Sequence, residues 1–217
     1  MTYRAVIFDL DGTLLDSLRD LADSMNQSLM AYGLPQHPVD AYRFFVGDGI
    51  ETLVLRAAPE SKDNPELKRR ILLSMRKEYK SRWANNTRPY AGIAELLDAL
   101  TKRGVKMAVY SNKPHDFTEL CVTRLLPEWR FGLIYGVSEQ NPRKPDPTVP
   151  LRIAKRFEIE PKHFLYLGDT GMDMKTALAS GMVPIGALWG FRSKEELLAG
   201  GTKTVIDHPM HLMKLIE

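Results

Sequence analysis

Apolar residues recur in two rhythms along this chain, and the two rhythms are segregated. Val6-Ile7-Phe8 is a short run of β-formers, apolar on both faces, and predicts a buried parallel strand. From residue 16 to residue 88 only the helical period recurs. Leu18, Leu21, Met25 and Leu29 mark a helix that Ser17 can cap and that Gly33 stops near Tyr32, with Pro35 beyond. The glycine-bracketed turn from Phe44 to Gly49 opens a second helix over 50–58, and a longer amphipathic one spans 65–83. No strand is expected in this block. At Pro89-Tyr90-Ala91-Gly92 the pattern changes, and short apolar runs alternate with helical segments from there on. Strands are predicted at 105–110, 133–137, 164–167, 183–188 and 204–206. The spacing predicts helices over 93–103, 114–126, 148–157 and 172–180, a short one near Glu195 and a last one from Pro209.

That alternation, with short connections, implies an α/β fold: a doubly wound, mainly parallel sheet covered on both faces by right-handed crossovers. The opening strand stands apart from the others, with the helical block between. The economical organisation is a core of residues 1–15 and 89–217 carrying an all-helical insert of residues 16–88. A chain of 217 residues is long enough for such a core and a smaller inserted unit. No internal repeat or low-complexity segment is visible.

Composition narrows the classes. With 44% hydrophobic and 26% charged residues the chain sits in the soluble globular range. A net charge of +3 suits a small anionic substrate, while the lack of a concentrated basic, aromatic-interleaved patch argues against nucleic acid. Lys68, Arg69, Arg70, Arg76, Lys77 and Lys80 on the 65–83 helix read as a solvated face. The single cysteine, Cys121, lies in an apolar helical stretch and reads as a buried, inert thiol in a reducing compartment. Five scattered histidines, His208 and His211 included, suggest no metal site. No run approaches membrane-spanning length, and Asp9 and Asp11 interrupt the first apolar stretch, so a cytoplasmic protein without a membrane partner is expected. A monomer and a homodimer fit equally well.

In a parallel sheet every strand's C-terminal end points to one edge, where open α/β folds bind ligands. The first strand ends at Asp9 and Asp11, and the turn Gly12-Thr13 follows. The second gives Ser111 and Asn112; past the third, a proline-stiffened loop holds Lys144; the fourth gives Asp169 and Asp173. Singly these are a turn, a surface lysine and helix-start acids favoured by the dipole. Together, at successive strand ends, they gather acids, a hydroxyl, an amide and a lysine on one edge. Buried acids are costly unless paired or bound to a cation. The set suits phosphoryl transfer, in which catalysis is mainly positioning and charge stabilisation. Mg²⁺ between the carboxylates would let a phosphate dianion approach, with Asp9 and Asp169 as ligands and Asp173 as a direct or water-mediated one. Aspartate can act as a nucleophile through an acyl phosphate, and Asp11 can serve as acid and base. Ser111 and nearby backbone N–H groups can hold phosphate oxygens, with Lys144 as the fixed positive charge.

Asp9-Leu10-Asp11-Gly12-Thr13-Leu14 resembles the nucleophile motif of the haloacid dehalogenase superfamily, in its phosphatase branch. The later strand ends match that pattern in order and spacing across essentially the whole chain. The resemblance implies a Rossmann-like core with residues 16–88 as a helical cap that opens and closes over the site. It implies Asp9 as nucleophile, Asp11 as acid/base that also offers its backbone carbonyl to Mg²⁺, and Asp169 as a further metal ligand. Ser111, Asn112 and Lys144 become phosphate anchors, with Thr13 and Asp173 in support. Asp11 argues against true dehalogenases and phosphonate hydrolases. The hexose-phosphate mutases carry a hinge histidine where this chain has Leu21. Within the superfamily the likeness is to phosphoglycolate phosphatases, on Val46-Gly47-Asp48-Gly49 leading into Leu53-Val54 and on Trp189-Gly190-Phe191. The expected activity is Mg²⁺-dependent hydrolysis of 2-phosphoglycolate. Another small phosphate ester, a pyrophosphate or nucleotide, a sugar phosphomutase and a silent binding protein are the alternatives. Arg43, Arg56 and Arg82 are the candidates for reading a substrate carboxylate.

Overall fold

The computed structural model describes residues 2–216. Strand β1 (Ala5–Phe8) is wholly buried, and the alternation of its side chains shows why. Val6 and Phe8 face one apolar cluster with Leu96, Leu97 and Leu100 of helix α5 (Ile93–Lys102). Ala5 and Ile7 face another with Val149 and Ile153 of α7 (Thr148–Phe157) and Ala177 of α8 (Gly171–Ala179). A strand apolar on both faces can only sit mid-sheet, and burying each large side chain contributes about 1.5–3 kcal/mol. β1 pairs in parallel with β4 (Lys106–Pro114) on one side and β6 (Phe164–Gly168) on the other. The remaining strands, β5 (Leu133–Val137), β7 (Val183–Ala187) and β8 (Thr204–Ile206), complete a six-stranded parallel sheet in the order β5-β4-β1-β6-β7-β8. Helices α6 (His115–Leu125) and α9 (Lys194–Ala199) fill the remaining connections.

Between β1 and α5 lie helices α1 (Leu18–Ala31), α2 (Tyr42–Phe45), α3 (Ile50–Ala57) and α4 (Pro65–Arg82). They bury their own cluster, including Leu21, Met25, Leu53, Ile71 and Met75, which Phe117 and Phe191 join from the sheet domain. Gly33, with positive φ, ends α1 through bonds from its own N–H to Met30 and from Leu34 to Leu29. Asn64 caps α4 by accepting from the Leu67 N–H.

The structure departs from the sequence expectations in four places. A two-residue antiparallel ladder joins Leu15–Asp16 (β2) to Arg88–Pro89 (β3), where no strand was expected after residue 16. Two-residue strands carry no periodicity; this pair exists because the chain enters and leaves the helical block side by side. Ser17 does not cap α1 with its side chain. Its hydroxyl donates to Asp11 Oδ1 at 2.6 Å instead, a charge-assisted bond that outcompetes a neutral cap. Strand β4 runs past Tyr110 through Ser111, Asn112 and Lys113, where its pairing with β5 breaks register before resuming at Pro114, and the last helix is a 3-10 segment, Pro209–Lys214.

Above that small ladder, the Asp20 carboxylate accepts from the Asn86 and Thr87 backbone N–H groups and from their side chains. Burial would raise its pKa, but these donors win and hold it below the usual carboxylate value. The two crossings of the chain are thereby fastened together at the base of the block.

Candidate active site

Asp9 follows directly on β1, and its backbone N–H continues the ladder to Leu167 O. The turn after it needs Gly12 at φ 87°, where any Cβ would strike the Asp169 carboxylate. Thr13 Oγ1 donates to Asp169 Oδ1 at 2.9 Å, and the Phe191 N–H donates to Asp169 Oδ2 at 2.8 Å. Gly190 faces the same residue so closely that a side chain there would overlap Asp169 and the Gly12 carbonyl. Trp189 Nε1 donates to Thr13 O and closes this packing. Asp173 lies in the first turn of α8, in a capping box with Thr170. Its other oxygen accepts from Lys144 Nζ at 2.6 Å, so the helix-start role and the site role coexist in one side chain.

Lys144 is 2% exposed at its side chain and also stands 2.8 Å from Asp9 Oδ1. Asn112 places it: Asn112 Oδ1 accepts from the Lys144 N–H, while Asn112 Nδ2 donates to Gly47 O across the cavity. Burial alone would lower the Lys144 pKa, but Asp173 and Asp9 raise it well above its ordinary value, and the side chain is charged. Ser111, buried at the same strand end, lines the cavity with Asp9 and Asp11.

Carboxylate oxygens of Asp9, Asp169 and Asp173 lie within 4.8 Å of one another, the metal-capable cluster found among the described residues. One lysine cannot balance three buried acids. Burial pushes the Asp9 carboxyl up to about 7, with Lys144 drawing it down and Asp173 raising it further. Asp169 is carried well above the carboxylate range by burial and then by Asp9 and Asp173. Despite its nearness to Lys144, Asp9 Oδ1 receives no well-aligned hydrogen bond. A hard, oxygen-seeking divalent cation is what this donor set fits: it would satisfy the orphaned oxygen and relieve the repulsion.

Asp11 points elsewhere. Its carboxylate accepts from Lys113 Nζ at 2.9 and 3.0 Å and from Ser17. Lys113 was not singled out in the sequence. Buried, and 4.5 Å above the Tyr79 ring, it holds Asp11 at the wall of a small cavity of about 50 Å³. Its place next to Asn112 was the available signal. Tyr79, 34 residues upstream on α4, offered none.

The sheet domain supplies the polar floor of this cavity, and the helical block its apolar roof, among them Leu21, Val46, Ile50, Leu53 and Met75. Arg43, Arg56 and Arg82 do not line it. Arg43 donates to Gly190 O, Arg56 pairs with Asp48 at 2.5 Å, and Arg82 pairs with Glu78 at 2.8 Å. Cys121 is buried and free, and burial raises its thiol pKa, in keeping with an inert core residue.

A family model described as haloacid dehalogenase-like hydrolase matches residues 6–187. Relatives matched over nearly the whole chain include two phosphatases. A phosphoglycolate phosphatase from Nitrosospira multiformis is 31% identical, over 99% of this chain and 96% of its own length. An N-acetylmuramic acid 6-phosphate phosphatase from Pseudomonas aeruginosa is 32% identical, over 100% and 96%. A crystal structure from Lactobacillus delbrueckii subsp. bulgaricus, provisionally named a phosphoglycolate phosphatase, superposes with a TM-score of 0.91 at 31% identity, covering 100% of this chain and 99% of that one.

Proposed function

Since the chain belongs to the haloacid dehalogenase-like hydrolases and is a phosphatase, we propose that it hydrolyses a small phosphate monoester with Mg²⁺, through an aspartyl-phosphate formed on Asp9. The observation that carries this reading is Asp9 Oδ1: buried, without an aligned hydrogen bond, beside Lys144 and within the triad of acids. An Asp9 carboxylate oxygen attacks phosphorus, the ester P–O bond breaks, and the leaving alkoxide takes a proton from Asp11. Water then attacks the acyl phosphate and gives its proton to the Asp11 carboxylate, releasing phosphate and restoring Asp9.

Asp9, Asp169, Asp173 and the Asp11 carbonyl are the groups that would hold Mg²⁺, which when bound neutralises charge on the phosphoryl oxygens. Lys144 supplies a second positive charge, held by its two acids. Ser111 and the backbone N–H groups of that strand end receive phosphate oxygens. Lys113 and Ser17 keep the Asp11 carboxylate at the cavity wall. Residues 16–88 act as the cap, with the Leu15–Asp16 and Arg88–Pro89 ladder as the hinge about which water is excluded.

Likeness to relatives makes 2-phosphoglycolate the first ester to assay, and N-acetylmuramic acid 6-phosphate belongs beside it. Phosphate release by the purified chain, with Mg²⁺ and again with a chelator, is the test. Turnover that needs the metal and vanishes in Asp9→Asn is the result expected. A wild-type protein inert toward a broad panel of monoesters would overturn the reading.

A further inference from the structure

Four consecutive residues after strand β7 touch both the acids of the sheet edge and the helical block. On the first side, Trp189 Nε1 donates to Thr13 O at 2.9 Å and Gly190 packs against Asp169. The Phe191 N–H donates to Asp169 Oδ2 at 2.8 Å. On the other side, Arg43 Nη1 donates to Gly190 O at 3.0 Å, and Phe191 belongs to the apolar cluster of the helical block. Arg192, 8% exposed at its side chain, donates from Nη1 to Arg43 O and from Nη2 to Val46 O, the latter at 2.8 Å. Its Nε stands 3.3 Å from Glu196, whose other oxygen accepts from the Gly171 N–H, two residues past Asp169. The same turn is gripped from below, since Asn112 Nδ2 donates to Gly47 O at 3.0 Å.

A nearly buried guanidinium that spends its donors on backbone carbonyls is satisfied only while those carbonyls stay in place. Withdrawing them leaves a desolvated charge short of partners. Asp169, for its part, is oriented by two donors, the Thr13 hydroxyl and the Phe191 N–H. We infer that Arg192 is a positioning residue for Asp169. By fastening residues 189–192 to the turn at 43–47, it fixes the N–H that orients this carboxylate, and so ties the seating of the helical block to the hold on a divalent cation. Outer partners of this kind govern how well a ligand side chain grips its metal. Reciprocity then requires the cation to hold the turn in return. The inference rests on the Mg²⁺-dependent reading of the same site.

Titration calorimetry of the full chain with Mg²⁺, no ester present, reads this coupling directly. Arg192→Met should weaken Mg²⁺ binding by about tenfold, and Arg192→Lys, which keeps a cationic donor, by less. Arg76→Ala removes an exposed bridge between α4 and α6 that does not involve residues 189–192, and should leave the affinity within about twofold. In the wild type, Mg²⁺ should slow amide hydrogen exchange at residues 43–49. Arg192→Met should lose that protection, an effect that a merely stabilising side chain would not produce. Equal affinities in wild type and Arg192→Met, or an equal loss in Arg76→Ala, would overturn the inference. If Arg192→Met does not fold, Arg192→Lys and the wild-type exchange pattern still decide, and a turn left unprotected by Mg²⁺ counts against it. A wild type that binds no divalent cation would remove the Mg²⁺ assignment itself, a result distinct from a wild type and a variant that bind equally.

Discussion

The two walls of the cavity solve opposite problems. On the sheet edge the charged groups are buried, or in the case of Asp11 mostly so, and held by others: Lys144 between Asp9 and Asp173, Asp11 between Lys113 and Ser17, Asp169 between Thr13 and the Phe191 N–H. Their positions are over-determined, as chemistry on a phosphoryl group requires. In the helical block the ion pairs lie outside, the buried carboxylate of Asp20 at its base apart. Arg69 pairs with Glu66, Arg19 with Asp23, and Arg76 with Asp116 across to α6, all on exposed surface. What that block turns inward is apolar, shape without charge. On the proposed function, the sheet wall would act on the phosphoryl group and the helical wall would meet the rest of the ester.

That contrast can be broken from the floor upward. The largest effect is expected from Asp9→Asn, which should cut phosphate release by more than about 10³-fold with the fold intact, as read by circular dichroism and a phosphate assay. Lys144→Met leaves Asp9 and Asp173 facing each other without their shared cation. It should cost about 3–5 kcal/mol of stability in urea unfolding, besides activity. A loss below about 1 kcal/mol would mean the acids are not held by that lysine. On the roof, Leu53→Ala opens a buried cavity and should cost about 2–4 kcal/mol, yet leave the rate on a small neutral ester within about tenfold. A loss as deep as that of Asp9→Asn would erase the division between the walls.

Asp20→Asn tests the clasp beneath both walls, with an expected cost of about 1–3 kcal/mol at neutral pH. Because the folded-state pKa of Asp20 is depressed, its contribution is fully present above the unfolded carboxylate value near about 3.9 and fades as pH falls through the lower folded value. The urea midpoints of wild type and variant should therefore converge in acid; a gap that persists there would show that charge is not what the clasp uses. Smallest of all, Arg19→Ala on the exposed face of α1 should leave the unfolding midpoint unchanged within error.

Sheet and strand ends were legible in the sequence because each strand reads locally. Val6-Ile7-Phe8 is apolar on both faces and then stops at acids, and the same switch recurs at Tyr110, Leu167 and their neighbours. Other features were hidden. Ser17 looks like a cap, and only the folded chain brings Asp11 close enough to take its hydroxyl away. Lys113 reads as part of a turn until it is seen 102 positions away from the acid it holds. Arg43, Arg56 and Arg82 were reasonable as carboxylate readers by residue type, but each finds a partner nearer than the cavity.

By itself, then, the order of residues determined the parallel sheet, the helical block between its first and second strands, and most of the groups at the sheet edge, Lys113 excepted. These follow from periodicity and from the rule that parallel strands end on one side. Only the tertiary structure decided which acid meets which lysine, and that the roof brings no charge of its own. Pairings of that kind depend on distances between segments far apart in the chain, and neither propensity nor spacing encodes them.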